Sequence, residues 1–213
     1  MPHLPTIALA CLAAMGLTAC KIIKNPEPGA AAVVASGEAG DDARIAALLD
    51  TTLASQLLPL IRDKATDWTV LNSAIVAGLD AAGAQYGNRG AGEGAAWNFA
   101  LKGRGTVTEA NLESRARTAG LDLDGDGRTD VILQLGPVIK GTSLRDVAPL
   151  FSFNDFRDQI EFAKLGRAIN DRVTSGLSLP EGELVGQTLG FTGAVTLKSA
   201  TDTWLVTIIE ATP

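Results

Sequence analysis

The chain has 213 residues, of which 46% are hydrophobic and 20% are charged, so it is long enough and apolar enough to bury a core of its own. Its formal net charge of −6 argues against a nucleic-acid partner. The same charge argues against a body that lies flat on an anionic membrane surface, so a membrane attachment has to come from another source.

The first 19 residues have the features of a signal peptide. They contain no acidic residue, and their apolar run at positions 7–17 is too short to remain as a membrane span. The run ends in a motif that resembles a bacterial lipobox, formed by Leu17, Thr18, Ala19 and Cys20. The sequence therefore predicts cleavage before Cys20 and attachment of a diacylglyceryl group, with palmitate among its acyl chains, to the cysteine thiol.

Two features leave part of this interpretation open. No Lys or Arg precedes the apolar run, so a secretory signal with an incidental cysteine is the alternative. Lys21 follows the cysteine where an aspartate would argue for retention at the inner membrane. We therefore expect a lipid anchor on the periplasmic side of a bacterial membrane, and the choice between inner and outer membrane stays open.

Cleavage would also remove reactive side chains from the mature protein. His3 is the only histidine, and Cys11 and Cys20 are the only cysteines, so the mature chain would keep one cysteine, and that one lipidated. Disulfides, thiol nucleophiles, histidine bases and the common zinc sites are then excluded. No G-x-S-x-G motif is present either. These losses predict a protein that is not an enzyme.

Residues 20–40 mix Pro and Gly with small residues and predict a tether. A helix is predicted from Asp41, with apolar residues at helical spacing and a kink or an end near Gln56 ahead of Pro59. A second helix is predicted from Asp67 to about Ala84. The glycines at 83–94 lack the Lys and Ser/Thr of a phosphate-binding loop, so we interpret residues 41–95 as a helical hairpin and a Gly-rich link.

The remainder, residues 96–213, changes to the two-residue period of strands. Three strands, one helix and two strands are predicted in this order: 97–104, 112–117, 131–135, the helix 152–175, 188–197 and 203–209. This is the element order of a five-stranded OB-type barrel with a helix at one end. We therefore predict an α+β fold in which the helical pair packs on an antiparallel, OB-like barrel, with an open antiparallel sheet as the alternative.

An aspartate-rich loop between the second and third predicted strands is the sharpest chemical signal. Carboxylates stand at loop positions one, three, five and nine, in Asp122, Asp124, Asp126 and Asp130. With Gly127 at position six and the Arg128 carbonyl at seven, they form the oxygen set of a calcium loop. Position twelve is Leu133 rather than Glu, so the loop resembles the calcium loops of integrin-type propellers more than an EF-hand. The alternatives are a structural calcium site and a metal-free Asp/Gly turn.

Polar residues on the predicted strands and on the helix that follows them form a candidate ligand site. They are Lys102, Arg104, Arg115, Arg117, Lys140, Arg145, Asp146, Asn154, Asp155 and Gln159. The four residues from Lys102 to Arg117 predict a basic stripe on the barrel face, where OB-type barrels bind oligosaccharides or oligonucleotides. The alternative is structural, with Arg145 paired to Asp146 or Asp155 and the basic residues solvated.

Three segments carry a family resemblance: 97–107, 136–146 and 153–163. They resemble a family of predicted bacterial periplasmic lipoproteins that is catalogued as a domain of unknown function. The resemblance implies a non-catalytic exported lipoprotein that is often encoded near ATP-driven sugar-uptake transporters. It carries no assigned active site.

Three functional hypotheses follow. The first is an accessory or binding lipoprotein that holds a polar small molecule, a glycan or an envelope protein such as a sugar transporter. The second is a hydrolase of glycans or cell-wall sugars that uses carboxylates such as Asp155 and Glu161. The third is an assembly component without a ligand.

Overall fold

A computed structural model describes residues 36–90, 94–180 and 182–213, all of which belong to one compact unit. The predicted signal peptide, the lipobox with Cys20 and residues 21–35 of the predicted tether lie outside these residues. The last part of the predicted tether already has regular structure, because Glu38–Gly40 forms a 3-10 turn that leads into the first helix.

The first helical segment runs without a break from Glu38 to Lys64. It consists of α1 (Asp41–Thr52), a π-helical turn (Leu53–Leu57) and α2 (Leu58–Lys64). Of the two predicted outcomes, an end of the helix near Gln56 is wrong, and an irregularity does occur there as the π-helical turn Leu53–Leu57. Pro59 has no N–H to donate and its ring crowds the carbonyl four residues earlier, and the wider π-turn before it absorbs this irregularity.

This helix is long and apolar enough to cross a membrane, by length and composition. Its apolar stripe, however, is buried in the protein core, with Ile45, Leu49, Leu57 and Ile61 at most 3% exposed. We therefore regard it as a core helix.

The second predicted helix is two helices, α3 (Trp68–Ala77) and α4 (Leu79–Tyr86), separated at Gly78. Asp67 caps α3, as its position predicted, because its Oδ1 accepts a hydrogen bond from the Thr69 N–H at 2.9 Å. Two short strands flank the pair, β1 (Thr66–Asp67) and β2 (Gly87–Arg89), and both pair with β3 (Trp97–Asn111). Within the predicted Gly-rich link, Gly87–Arg89 thus forms a strand of the sheet.

The barrel contains β3, β4 (Ala116–Asp122), β5 (Val131–Pro137), β6 (Thr188–Leu197) and β7 (Trp204–Thr212). The strand order is β3-β4-β5-β7-β6, and β6 closes the ring by pairing with β3. The predicted α+β class and closed OB-type order are confirmed. The predicted all-antiparallel pairing is wrong at β5 and β7, which are parallel. Directions cannot alternate completely around a ring with an odd number of strands, so one pair has to be parallel.

Two predicted boundaries are also wrong. Residues 112–115 form the turn after β3, which is 15 residues long, and β4 begins only at Ala116. The helix between β5 and β6 is α6 (Gln159–Ser175), preceded by the short helix α5 (Ser143–Asp146). Ser152, the first residue of the predicted helix 152–175, instead caps a 3-10 turn, Phe153–Asp155. Asp158 caps α6 by accepting hydrogen bonds from the N–H groups of residues 160 and 161.

Two hydrophobic clusters lie on opposite faces of the barrel wall. One contains Phe99 and Leu101 of β3 together with Leu71 and Ile75 of α3. The other contains Ala100, which points to the opposite face, with apolar residues of α1, α2 and α6. The helix α6 therefore packs beside α1 on the outer face of the barrel wall. The position of α6 in the chain predicted that it would close one end of the barrel, but it is α3 that contributes to the other cluster.

A buried ion network ties the start of α1 to α6. Asp41 is fully buried and binds Arg44 at 2.6 Å, Arg157 at 2.9 Å and Lys164 at 3.2 Å. Arg44 also binds Glu161 at 2.9 Å. Burial alone would raise the pKa of Asp41, but hydrogen bonds from Arg157 and Lys164 outweigh it and hold that pKa below its usual value. The charged groups thus compensate one another where the two helices meet.

Candidate functional site

The aspartate loop is the hairpin between β4 and β5. Gly125 and Gly127 have φ angles of 85° and 83°, which favour glycine, and they fold the chain around Asp122. Asp122 Oδ1 accepts a hydrogen bond from the Gly125 N–H at 2.7 Å, and its Oδ2 accepts one from the Gly127 N–H at 2.8 Å. These backbone donors hold the pKa of Asp122 below its usual value, so this carboxylate stays ionised.

Three carboxylates converge in this hairpin. Oxygen atoms of Asp122, Asp124 and Asp130 all lie within 4.8 Å of one another. Burial raises the pKa of Asp130 above its usual value, and the nearby carboxylates of Asp124 and Asp122 raise it further. The hydrogen bond from the Leu123 N–H lowers this pKa but does not offset the rise. A hard cation would relieve this repulsion, and carboxylate oxygens are the ligands that calcium prefers. The donor set therefore fits calcium.

One predicted carboxylate, that of Asp126, lies outside this group, and the Arg128 carbonyl as a ligand stays a prediction. The Asp126 side chain turns toward Arg128, whose N–H donates to Asp126 Oδ1 at 2.8 Å and whose guanidinium lies 3.6 Å from its Oδ2. The Arg128 side chain is 87% exposed. The structure therefore brings together three of the four predicted carboxylates.

The predicted basic stripe is not continuous, because its two halves belong to different parts of the barrel. Lys102 and Arg104 pair with β6, opposite Thr192 and Gly190, and line a groove there with Glu210. Pairing of β3 with β4 starts only at Thr106. Arg115 and Arg117 lie beyond the far end of this pairing, where Arg117 is opposite Gly136 of β5. The length of β3 thus separates the two halves.

Arg145 and Asp146 form the structural network that we gave as an alternative. Arg145 Nε lies 2.7 Å from Asp146 Oδ1, and its Nη2 lies 3.0 Å from Oδ2. Its Nη1 donates to the Phe162 carbonyl of α6 at 2.9 Å, and the guanidinium lies 3.8 Å from the centre of the Phe162 ring. Asn154 lines a groove next to this pair. These contacts tie α5 to α6, so most of the Arg145 donors are used inside the protein.

The remaining predicted residues are dispersed. Asp155 lies on the exposed 3-10 turn, and Gln159 is exposed at the first position of α6. Lys140 is held by its main chain, since its N–H donates to Gln134 Oε1 at 2.8 Å and its carbonyl accepts from Gln134 Nε2 at 3.0 Å. None of these three shares a described groove with Arg115 and Arg117.

A groove of about 1000 Å³ lies where the start of β4, the end of β5 and α6 meet. We call it the arginine groove, because Arg115, Arg117 and Arg167 line it. Arg117 Nε donates to the Gly136 carbonyl at 2.7 Å. Arg167 and Asn170, which also lines the groove, were not predicted as site residues from the sequence. Their three-residue spacing on a predicted helix was the available signal, but it does not say which strand that helix face approaches.

Comparison with known proteins places the chain in a family. Residues 10–213 match the model of DUF2291, described as a predicted periplasmic lipoprotein. The chain belongs to this family. The family resemblance recognised in the sequence is therefore confirmed. A search of curated proteins finds no match.

The DUF2291 chain is also similar to a solved structure. This is the crystal structure of an OB-fold protein from Thermotoga maritima MSB8, with 11% sequence identity and a TM-score of 0.50. The match covers 81% of this chain and 94% of that chain. At this identity the similarity concerns the fold alone, and it confirms the OB-type barrel.

Membership in DUF2291 also settles the location at a coarse level. The chain is a lipoprotein on the periplasmic side of a bacterial membrane, as the N-terminal sequence predicted. Cys20 and the lipobox lie outside the described residues, so their modification stays a prediction.

Proposed function

We propose that this lipoprotein is a non-catalytic accessory or binding module of the envelope. The observation that supports this proposal most is the state of Glu161, which is 5% exposed and has both carboxylate oxygens engaged. Its Oε1 accepts from Arg44 Nε at 3.0 Å, and its Oε2 accepts from the Arg157 N–H at 2.7 Å.

A glycan hydrolase would need a different arrangement. Two carboxyl groups would face each other across an open cleft, about 5 to 9.5 Å apart, and one of them would have a raised pKa. Glu161 is committed to an ion network, and Asp155, the other proposed acid, is exposed on a turn. Burial does raise the pKa of Asp130, but its neighbours Asp122 and Asp124 belong to the calcium-type cluster. These features favour the non-catalytic proposal over the hydrolase.

The partner that we propose is an ATP-driven sugar-uptake transporter of the envelope. The support is the family resemblance, together with the expected anchor, which would keep the protein beside membrane complexes. The test is purification of the full lipidated chain from crosslinked, detergent-solubilised membranes, followed by mass spectrometry. We expect transporter subunits to co-purify with the wild type and to be depleted with Cys20→Ser, which lacks the anchor. Equal recovery of these subunits with an unrelated envelope lipoprotein would contradict the proposal.

We also propose that the β4–β5 hairpin holds a structural calcium ion through Asp122, Asp124 and Asp130. At a calcium concentration about 100 times the dissociation constant, binding would stabilise the fold by about 2.7 kcal/mol. For a domain of this size, we expect a rise in Tm of about 5 to 10 °C. Thermal unfolding in EDTA and in millimolar calcium measures it.

Two variants sharpen the calcium test. Asp124→Asn should abolish most of the shift, because this carboxylate belongs to the cluster. Asp126→Asn is the matched control and should keep most of the shift, because its side chain turns to Arg128. An identical Tm with and without calcium in the wild type would contradict the site.

A further inference from the structure

The arginine groove has the size of a small-molecule site. Its volume of about 1000 Å³ is at the upper end of the usual range for ligand pockets, about 300–1000 Å³. Pro137, Val138 and Ile139 give it an apolar wall. Val138 is 44% exposed, so this wall is accessible from solvent.

The charge of the groove is opposite to that of the whole protein. Three guanidinium groups line it, and Asp171 is the only acidic residue among the described lining residues. Within the described part of the chain, neither the Arg115 guanidinium nor the Arg167 guanidinium has a hydrogen bond or an ion pair. Arg117 donates to the carbonyls of Gly136 and Leu135, at 2.7 and 3.5 Å, through Nε and Nη2 only. The groove therefore concentrates positive charge, with free donors, on a chain with a formal net charge of −6.

A second observation is independent of this charge. Asn170 lines the groove and is 5% exposed. Its Nδ2 donates to the Gly141 carbonyl at 3.0 Å, but its Oδ1 has no partner among the described residues. Buried side-chain acceptors are usually satisfied, so this oxygen points to a donor that the chain itself does not supply.

We propose that the arginine groove binds a small hydroxylated anion, such as a sugar acid or a sugar phosphate. Its carboxylate or phosphate would accept hydrogen bonds from Arg115 and Arg167, because guanidinium groups match planar and tetrahedral oxyanions with paired donors. After a rotation that brings the buried Asn170 Oδ1 to the surface of the groove, a hydroxyl group of the ligand would donate to it. This inference rests on the proposed function as a binding module and adds the chemical class of its ligand.

Isothermal titration calorimetry of the full lipidated chain in neutral detergent tests this proposal. The probes are glucuronate, glucose 6-phosphate and inorganic phosphate, with glucose as the neutral control. We expect at least one sugar anion to bind, and more tightly than glucose or inorganic phosphate. Arg115→Gln and Arg167→Gln should each weaken it about tenfold or more, since each loses a charge-assisted pair.

Two controls separate the groove from general electrostatics. Arg104→Gln removes one positive charge from the other groove and should leave the affinity unchanged. Asp171→Asn removes the acidic group among the described residues that line the arginine groove, and it should strengthen binding. Circular dichroism melts verify that each variant is folded, and Asn170→Ala should lower the affinity for a sugar anion more than that for inorganic phosphate.

The proposal would be overturned by no heat with any anion at millimolar concentration, by equal binding of glucose and its anionic derivatives, or by an equal loss of affinity in Arg104→Gln and Arg167→Gln. Binding to phosphatidylglycerol vesicles without binding to soluble anions would also overturn it, because the groove would then recognise a membrane surface. Failure here with successful co-purification of the transporter would leave the accessory function intact. Anion binding without co-purification of the transporter would support the arginine groove as a ligand site and contradict the proposed transporter partner.

Discussion

Replacement of Glu161 by glutamine is expected to lower the free energy of unfolding by about 3 kcal/mol. Both carboxylate oxygens of Glu161 act as acceptors, one for Arg44 and the other for the Arg157 N–H. A glutamine would place an amide N–H₂ group against one of these donors. The substitution would also remove the negative charge that compensates Arg44 in a largely buried position.

The expected loss extends beyond one contact because this network joins α1 to α6. Asp41, Arg157 and Lys164 belong to the same network, so the remaining charges would be less well compensated. Equilibrium unfolding in urea measures the change. The matched control is Asp171→Asn on the same helix, which is exposed and should change the stability by less than about 0.5 kcal/mol. Similar values for the two variants would contradict a buried network.

Substitution of Gly105 by alanine is expected to lower the free energy of unfolding by about 2 to 3 kcal/mol. A Cβ atom at Gly105 would overlap the carbonyl oxygen of Asp122 and lie 2.7 Å from Cδ2 of Leu123. The first of these atoms is backbone in the closed barrel, and it cannot move without disturbing the pairing of β3 with β4. Because Asp122 also begins the calcium-type hairpin, the distortion should reach that loop.

The matched control for Gly105→Ala is Gly176→Ala, at the end of α6, where a Cβ would have no neighbour nearer than 3.7 Å. Urea unfolding should give a change of at most about 0.5 kcal/mol for this control. Equal stabilities of the two variants would contradict the close approach of β3 to β4. If the calcium proposal is correct, Gly105→Ala should also lose part of the calcium-dependent rise in Tm.

The strands that the sequence predicted best are rich in apolar and β-branched residues, although most of their residues are buried on both faces. The first residues of β3, and most of β5, β6 and β7, follow the predicted positions. The start of β4 was misplaced because the alternation at 112–117 belongs mostly to a turn, whereas Ala119 to Asp122 are all buried and show no alternation. The start of α6 was misplaced although Asp158 and Glu161 form the spacing of a capping box, because Ser152 offered a similar local signal.

The two candidate sites differ in the same way. Asp122, Asp124 and Asp130 lie in one short loop, so their convergence follows from spacing and two turn-forming glycines. The arginine groove joins Arg115 and Arg117 to Arg167 and Asn170, about 50 residues later. Only the packing of α6 against the ends of β4 and β5 brings these residues together. A periodic pattern shows that a helix has a buried face but not what covers it.

The sequence by itself determined the family, the expected anchor at Cys20, the OB-type order of elements and the aspartate loop. Each of these depends on residues close together in the chain or on the succession of elements. The tertiary structure decided that Glu161 and Arg145 serve internal networks, that Lys102 and Arg104 are separated from Arg115 and Arg117, and that the latter two meet α6. The physical reason is that strand length, register and helix packing are set by long-range burial, which no local pattern contains.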